Sequence, residues 1–273
     1  MESVSLLGFG EAGMTFASAA CWAKAAQVFD IKTTQAETRD AKLADYQVAG
    51  LRDAGCANAL DGLVLSLVTA DQALLAAQSV AKPGLLFCDM NSVAPQTKQA
   101  AAAVIAAAGG RYVDVAIMSP VNPAQLAVPL LVSGPHAQAG HDALAGLGFS
   151  NIRSVGADIG RASTIKMLRS VMYKGVEALT AECLIACAQA GVTDEVLGSF
   201  GNDWATGADY RIDRMMVHGV RRSAEMAEVV KTLQGLGVDP LMTQGTVARQ
   251  RMIGELAVLP VPQTLTGKLE RLT

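Results

Sequence analysis

Three glycines near the start of the chain have the spacing of a turn that binds a dinucleotide. The apolar stretch Val4–Leu7 leads into Gly8-x-Gly10-x-x-Gly13, and a helix-forming stretch follows. In such a turn the first glycine allows the tight bend, the second lets the backbone approach a pyrophosphate, and the third lets the helix pack closely on the strand. The alternative is a glycine-rich turn that only packs. The residues expected to contact the dinucleotide are Gly8, Phe9, Gly10, Glu11, Ala12 and Gly13.

An acidic residue follows the second apolar run at the distance that dinucleotide-binding proteins use. Asp30 comes directly after Val28 and Phe29, about twenty residues beyond the glycines. Its carboxylate would accept hydrogen bonds from the ribose hydroxyls and would repel a 2′-phosphate, so it favours NAD over NADP. Lys32 and Arg39 are close in sequence and would weaken that preference, which keeps NADP as the alternative cofactor.

A later helix carries a polar stripe whose lysine could move a proton. The stripe recurs at helical spacing, and one interpretation is a solvated helix face. The other interpretation places the start of this helix beside the nucleotide cleft, where partial desolvation would tune the amine of Lys166 for proton transfer. The members of the stripe are Ser163, Lys166, Ser170, Tyr173, Lys174 and Glu177.

The composition is that of a folded protein without a nucleic-acid signature. Of the 273 residues, 51% are hydrophobic and 17% are charged, and the net charge is −3. A disordered chain and a basic nucleic-acid surface are therefore not expected. No charge-poor run is long enough to cross a bilayer, and the N-terminus enters a strand without an export signal. These features predict a cytoplasmic protein that has no membrane partner.

The cysteines and the hydrolase motifs also limit the chemistry. Five scattered cysteines form no C-x-x-C pair, so reduced thiols are expected. Cys183 and Cys187 share a helix face, where small buried side chains are favoured over a metal site. No metal is expected. The sequence contains neither H-E-x-x-H nor G-x-S-x-G, which argues against zinc and serine hydrolysis.

Strands and helices alternate in the first half of the chain, which is typical of a nucleotide-binding α/β domain. Short apolar strands separated by helices predict a doubly wound, Rossmann-type parallel sheet covered on both faces. The predicted strands are Val4–Leu7, Gln27–Phe29, Leu63–Val68, Leu85–Cys88, Tyr112–Ala116, Leu130–Ser133 and Asn151–Val155. The predicted helices are Gly13–Ala23, Thr38–Ala49, Asp71–Val80, Pro95–Ala108 and Pro135–Leu147.

The second half of the chain predicts helices alone. A long helix is expected over residues 160–190, between the two domains. We therefore predict an NAD(P)-binding domain at residues 1–155 and an all-helical substrate and dimerisation domain at residues 156–273. The helical half is rich in alanine and leucine, so part of it should pack against a second subunit, and a homodimer is expected. The remaining predicted helices span residues 194–203, 208–219, 223–236 and 241–255.

Four segments, in order and spread over most of the chain, resemble the β-hydroxyacid dehydrogenases. This is the superfamily of the 6-phosphogluconate and 3-hydroxyisobutyrate dehydrogenases, and the glycine turn is the first segment. The other three resemble the family's D-x-S-T-x-x-P stretch beside the nicotinamide, its D-A-P-V-S-G-G substrate loop and its G-x-G-x-x-x-K-x-x-x-N motif. They are Cys88–Pro95, Tyr112–Pro120, and Gly156–Gly160 followed by Lys166. The chain looks closest to a divergent subgroup with its own helical C-terminal domain.

The resemblance implies roles for the matched residues. It makes Lys166 the catalytic proton shuttle, a base for alcohol oxidation and an acid for carbonyl reduction. Ser119, Asn91 and Ser170 would orient the substrate. Two departures fall where the family binds substrate, because Ser170 replaces the motif asparagine and the loop has no glycine pair, with Ser119 one place late. The residues expected beside the cofactor in this part of the chain are Val68, Thr69, Asn91 and Ser92.

A second polar cluster could bind the acid group of a substrate. His218, Arg221, Arg222 and Glu225 fall on roughly one helix face. One interpretation is an exposed stripe with an Arg221–Glu225 pair. The other is an anion-binding site, since arginine binds carboxylates bidentately. The two arginines would then serve their own subunit or a neighbouring one.

Taken together, the residues and the resemblance predict an NAD(P)-dependent oxidoreductase acting on a small molecule. Hydride transfer would interconvert a small, anionic hydroxy acid and its carbonyl form. Two alternatives stay open. The first is an imine reductase, against which Lys166 argues because relatives with that activity tend to lack the lysine. The second is a nucleotide-binding sensor that does not turn over a substrate.

Overall fold

An eight-stranded sheet organises the first part of the molecule. The computed structural model describes residues 3–201 and 204–273. The strands are β1 Val4–Leu7, β2 Gln27–Phe29, β3 Arg52–Asp53, β4 Leu63–Ser66, β5 Leu86–Asp89, β6 Arg111–Ile117, β7 Leu130–Ser133 and β8 Ile152–Ser154. Their order across the sheet is β3-β2-β1-β4-β5-β6-β7-β8. Every neighbouring pair is parallel except β6 and β7, so the predicted doubly wound α/β architecture is confirmed.

Ten α-helices occur in the described residues. Short 3₁₀ turns lie between several strands and helices. The chain divides into two compact units, Met1–Lys166 and Met167–Thr273. The first unit contains the sheet, and the described part of the second unit is built from helices. The helices are α1 Glu11–Ala19, α2 Ala36–Ala49, α3 Ala73–Val80, α4 Pro95–Ala107, α5 Ala137–Gly146, α6 Arg161–Ala190, α7 Thr193–Ser199, α8 Trp204–Gly235, α9 Leu241–Glu255 and α10 Leu265–Leu269.

The first unit has an apolar core on each face of its sheet. Successive strand residues point to opposite faces, so neighbours such as Leu6 and Leu7 enter different cores. Leu6 packs with Val28 and Leu65, whereas Leu7 packs with Val64 on the other face. Strands that are covered on both sides need continuous apolar runs, which explains why β1, β4 and β5 were visible in the sequence.

The structure corrects three details of the predicted elements. The sheet is not wholly parallel, because β6 and β7 are joined without the crossover helix that a parallel connection requires. The first helix ends at Ala19 rather than Ala23. The helices predicted at 208–219 and 223–236 form one helix, α8, since the segment between them has good helix formers and no proline. Of the helix predicted at 194–203, residues 202 and 203 lie outside the described residues.

Two glycines allow a close helix contact within the second unit. Helices α8 and α9 cross where Gly219 meets Gly254. A β-carbon on Gly219 would lie 2.8 Å from the Gly254 Cα, and closer still to the Gln250 carbonyl oxygen. The backbones therefore touch without intervening side chains. This crossing explains why a glycine, Gly219, occurs in the middle of the continuous helix α8.

Candidate active site

The glycine turn has the geometry that its sequence predicted. Gly8 has a φ of +91°, and its N–H donates to the Phe29 carbonyl at 2.8 Å, which binds the turn to the end of β2. A β-carbon on Gly13 would lie 3.1 Å from the Gly8 carbonyl oxygen, so α1 packs closely on the turn. A β-carbon on exposed Gly10 would meet no heavy atom within 4 Å. The turn thus has open space at Gly10, where a pyrophosphate would approach.

Asp30 is fixed beside this turn by backbone hydrogen bonds. Its Oδ2 accepts from the Phe9 N–H at 2.7 Å, and its Oδ1 accepts from the Lys32 N–H at 2.9 Å. Each carboxylate oxygen can accept further bonds, so ribose hydroxyls remain possible partners. Lys42 donates to the Phe9 carbonyl at 3.0 Å, which holds the turn from its other side. Burial, together with the charge of Asp30, raises the pKa of the nearby Tyr46 hydroxyl well above its usual value.

The loops after β4 and β5 are tied together by Asn91. Its Oδ1 accepts from the Val68 N–H at 2.8 Å, and its Nδ2 donates to Ser66 Oγ at 2.9 Å. Asn91 is buried, with 4% of its surface exposed. Val68 approaches Gly8 on the neighbouring strand, and Thr69 is exposed at the start of the next turn. These loops lie where the strand order reverses around β1, which is where open α/β sheets bind ligands.

Lys166 meets Ser92 at the same edge of the sheet. Its Nζ donates to Ser92 Oγ at 2.5 Å, and both residues are partly buried. Ser92 follows the carboxyl end of β5, while Lys166 lies in the second turn of α6. Gly160, just before α6, packs against Pro95 of the Ser92 segment, with 2.7 Å between a β-carbon placed on the glycine and the proline Cβ. An amine and a hydroxyl are thereby placed together within the first unit.

A fully buried lysine, which the sequence interpretation did not identify, lies behind this pair. Lys98 on α4 has no exposed surface and donates to the main-chain carbonyl of Asp89 at 2.6 Å. It also lies 3.0 Å from the Asp89 carboxylate and 3.3 Å from Asp114 Oδ1. The contact between Lys98 Nζ and Asp114 Oδ1 is an ion pair and not a hydrogen bond, because Asp114 Oδ1 has no hydrogen-bond partner among the described residues. Lys98 therefore bridges two carboxylates at the ends of β5 and in β6.

Both carboxylates make further buried hydrogen bonds. Asp89 accepts from Tyr112 Oη at 2.7 Å and from the Asn91 N–H at 3.0 Å. Asp114 Oδ2 accepts from Ser133 Oγ at 3.0 Å and from the Ser163 N–H at 3.1 Å. Burial and the neighbouring carboxylates raise the pKa of Tyr112 well above its ordinary value, so its hydroxyl remains a donor. We call Lys98, Asp89, Asp114, Tyr112 and Ser133 the buried lysine network.

The sequence did contain a signal for this network. Positions 98, 101, 102 and 105 form the buried face of α4, and lysine at the first of them breaks an otherwise apolar stripe. Lysine on a buried helix face requires a paired carboxylate. Asp89 and Asp114 were both visible in the quoted motifs. The partners were not identified because the pairing depends on which strands become neighbours.

The segment predicted as the substrate loop overlaps β6, since residues 112–117 belong to the strand and residues 118–120 follow it. Ser119 is partly buried, and its Oγ donates to the carbonyl of Pro120 at 3.2 Å. Met118 packs in a small apolar cluster with Ala116 and Ile165. The loop therefore lies beside the first turns of α6, at Ile165, which immediately precedes Lys166.

The residues predicted to bind the acid group lie in the second unit, where they already have carboxylate partners. Arg221, half exposed, pairs with Glu225 at 2.6 Å. Arg222 is buried and donates to Glu177 Oε1 at 2.7 Å, while Gln250 donates to the other oxygen of Glu177 at 2.9 Å. The Arg221–Glu225 pair considered in the sequence is thus present.

Ser170 lies one turn after Lys166 on α6 and is 8% exposed.

Cys88, beside Asp89 on β5, is fully buried, and burial raises the pKa of its thiol to about 12. It is therefore not an activated nucleophile. Cys183 and Cys187 are free thiols whose Sγ atoms lie 3.9 Å apart.

The described residues contain neither a cluster that could hold a metal ion nor a helix that could span a membrane. Within residues 3–201 and 204–273, no three His, Cys, Asp or Glu side chains are grouped so that they could hold a metal ion. None of the helices in those ranges has the length and apolarity needed to cross a membrane.

A family model and several solved structures match the chain. The model, described as a domain of unknown function (DUF1932), matches residues 188–253 in the second unit. The crystal structure of a conserved hypothetical protein from Sinorhizobium meliloti 1021 is 34% identical, with a TM-score of 0.73, over 100% of this chain and 96% of that one. Conserved protein MTH1747, of unknown function and described as structurally similar to 3-hydroxyacid dehydrogenases, is 29% identical, with a TM-score of 0.67, over 93% and 97%.

The fold is shared with a 3-hydroxyisobutyrate dehydrogenase. Mycobacterium tuberculosis 3-hydroxyisobutyrate dehydrogenase, in a structure with L-serine, has a TM-score of 0.70 and 15% identity over 100% of this chain and 99% of that chain. The chain belongs to the β-hydroxyacid dehydrogenase superfamily. The two-part architecture of the β-hydroxyacid dehydrogenases accounts for a sheet-containing unit followed by a helical one.

Proposed function

We propose that this β-hydroxyacid dehydrogenase relative is an NAD(P)-dependent oxidoreductase. It would interconvert a small, anionic hydroxy acid and its carbonyl form. The observation that carries the proposal is the contact between Lys166 Nζ and Ser92 Oγ, at 2.5 Å, on the sheet edge that also carries the glycine turn. A protonatable amine at the same edge of the sheet as a dinucleotide turn suits a reaction that moves a hydride and a proton together.

The residues of the glycine turn fit a dinucleotide. Open space at Gly10, tight packing at Gly13 and the free N–H groups at the start of α1 suit a pyrophosphate. The oriented carboxylate of Asp30 suits the ribose. Bound nicotinamide would supply or accept the hydride. Val68, Thr69 and Ser92 would border it, and buried Asn91 would hold their loops in place.

Lys166 would handle the proton. In alcohol oxidation its neutral amine would take the hydroxyl proton of the substrate, and in carbonyl reduction its ammonium would return it. Ser92 accepts a hydrogen bond from Nζ and so aims the amine. Ser119 and Ser170 are proposed to orient the substrate. Arg221 or Arg222 would bind its acid group only by sharing or exchanging their present glutamate partners.

The substrate class is tested by a panel of hydroxy acids, keto acids and cyclic imines with both cofactors. Nicotinamide absorbance reports turnover. We expect turnover with at least one hydroxy acid and slower or no reduction of imines. Preferential imine reduction would favour the imine reductase alternative. Tight cofactor binding without turnover of any compound would favour a nucleotide-binding sensor.

We propose NAD as the preferred cofactor, with Asp30 as the residue that selects it. The Asp30→Ala substitution removes the acceptor for the ribose hydroxyls and the repulsion of a 2′-phosphate. We expect kcat/KM for NAD to fall about 10- to 100-fold, the effect of losing charged hydrogen bonds, with a smaller loss for NADP. Asp40→Ala is the control, because it removes an exposed carboxylate from α2 and leaves Asp30 in place. An equal loss for both cofactors would contradict the assignment.

We also propose that residues 1–155 form the nucleotide-binding domain and that residues 156–273 serve substrate binding and dimerisation. Most of the large apolar side chains exposed in the described residues lie in the second unit, although it is the shorter one. Leu241, Met242 and Met172 are each about two-thirds or more exposed. Apolar surface of this kind marks an interface. Sedimentation should give twice the chain mass of 28.3 kDa, and a monomer would contradict the proposal.

A further inference from the structure

The two halves of the Lys166–Ser92 pair are anchored in the same way. Ser163, three residues before Lys166, donates its N–H to Asp114. Asp89, three residues before Ser92, accepts a hydrogen bond from the Asn91 N–H, which fixes the backbone between Asp89 and Ser92. Each half of the pair is thus held by one buried carboxylate. For Ser92 this is Asp89, which lies three residues earlier in the chain, and for Lys166 it is Asp114, which bonds to the residue three positions earlier.

Lys98 joins these two anchors. Its ammonium lies 3.0 Å from the Asp89 carboxylate and 3.3 Å from that of Asp114, and all three side chains are fully buried. It also donates to the main-chain carbonyl of Asp89 at 2.6 Å, which fixes the end of β5. A buried carboxylate is costly unless it is paired, so the two carboxylates are held in place by one cation.

Ser133 extends the anchor into the first turn of α6. Its Oγ donates to Asp114 at 3.0 Å and accepts the Ala162 N–H at 3.0 Å. Two of the N–H groups that a helix leaves unpaired at its start are therefore satisfied by side chains of β6 and β7. The negative charge of Asp114 also interacts favourably with the positive, N-terminal end of the α6 dipole. The start of α6 is fixed both in position and in direction.

We propose that the buried lysine network positions Lys166 against Ser92. Lys98, Asp89, Asp114, Tyr112 and Ser133 are positioning residues and do not contact the reacting groups. The inference rests on the proposed function for its catalytic consequence, but the position of the Lys166 amine is a property of the protein with or without turnover.

Ser133→Ala is the most selective variant, because it removes the hydroxyl between Asp114 and Ala162 without removing a charge. Ser133→Thr restores a hydroxyl. Ser5→Ala is the matched control, since Ser5 is equally buried in the same sheet and its Oγ bonds to Asp61 at 3.0 Å, away from Lys166. Tyr112→Phe perturbs the Asp89 anchor and provides a second variant if Ser133→Ala folds poorly.

Two measurements separate positioning from stability. The first is the rate at which an amine-reactive acylating reagent modifies Lys166 in the full-length protein, quantified by mass spectrometry of its peptide. The second is kcat together with the cofactor dissociation constant. Misplacement of a catalytic group lowers kcat steeply, so we expect about a tenfold loss in Ser133→Ala with unchanged cofactor affinity, and about a threefold or greater change in labelling.

Ser133→Thr should return both quantities to within about twofold of the parent values, and Ser5→Ala should leave them unchanged. The inference is overturned if Ser133→Ala and Tyr112→Phe lose thermal stability but keep the parent labelling rate of Lys166. A changed labelling rate in a protein that turns over no substrate would support the network and contradict the proposed function instead.

Discussion

The two units both bury paired charges, but they differ in where they leave their large apolar side chains. In the first unit, apolar side chains fill both faces of the sheet, and the charges of Lys98, Asp89 and Asp114 are buried in one closed network. In the second unit, buried positions include Glu177 and Arg222, while large apolar side chains remain exposed. The sheet unit satisfies its buried charges internally. The helical unit leaves large apolar side chains exposed, which is the basis of the proposal that a second subunit covers part of it.

Buried charges also serve different purposes in the two units. The buried lysine network of the first unit lies behind the Lys166–Ser92 pair and fixes its geometry. In the second unit, the pairs Arg222–Glu177 and Lys174–Glu225 join helices to one another. Loss of a charge should therefore have different consequences in the two units, and that contrast can be measured.

The largest effect on stability is expected for Lys98→Met. This substitution leaves Asp89 and Asp114 buried without a cation, so the free energy of unfolding should fall by about 3–5 kcal/mol. Lys174→Met is the matched variant in the second unit. Glu225 keeps Arg221 at 2.6 Å, so we expect a loss of about 1–2 kcal/mol.

Urea unfolding followed by fluorescence provides the measurement. Trp22 is buried in the first unit and Trp204 lies in the second, so a Trp204→Phe background reports the first unit alone and a Trp22→Phe background reports the second. Equal losses for the two lysine variants would show that the network of the first unit has no special role in its stability.

The next effect concerns the crossing of α8 and α9. A β-carbon on Gly219 would meet backbone atoms of Gln250 and Gly254, so Gly219→Ala should separate the helices and cost about 1–3 kcal/mol or more. Gly245→Ala is the control, because its β-carbon would meet nothing within 4 Å and alanine favours a helix. That variant should gain about 0.5–1 kcal/mol. If both variants shift the urea midpoint in the same direction, the crossing is not set by backbone contact.

The smallest effect concerns the docking of α10 on α8. Burial would lower the pKa of Lys268, but its hydrogen bonds to Asp209 and Asp213 outweigh burial and raise the pKa above 10.5. A raised pKa means that this stabilisation is present at neutral pH and is lost as pH rises through the folded value. Lys268→Met should cost about 1 kcal/mol, because both aspartates are more than a third exposed. The difference in melting temperature between parent and variant should shrink at alkaline pH, and a constant difference would refute the charge pairing.

Much of the fold could be predicted because it rests on local patterns. Continuous apolar runs identified β1 and β4, and the absence of helix breakers identified α6. The short edge strand β3 was missed, since Arg52 and Asp53 are exposed and carry no apolar signal. The antiparallel pairing of β7 depends on its connection to β6, which composition does not reveal.

For the candidate site, the sequence could name single residues but not the contacts that they make with one another. Gly8, Asp30 and Lys166 were named from their spacing and from the family resemblance, and the structure places Lys166 beside Ser92. The roles of Lys98 and Ser133 depend on contacts between elements that are distant in sequence. The glutamate partners of Arg221 and Arg222 depend on how helices pack, although Glu225 was visible one turn away.

The proposed proton shuttle is tested most directly by Lys166→Ala, with turnover and cofactor affinity measured on the same preparation. Once a substrate is found, we expect kcat to fall by about 10²- to 10⁴-fold, the usual contribution of a positioned acid or base. The cofactor dissociation constant should stay unchanged, because the glycine turn and Asp30 are untouched. A Lys166→Ala protein that keeps the parent kcat would contradict the assignment of Lys166 as the proton shuttle.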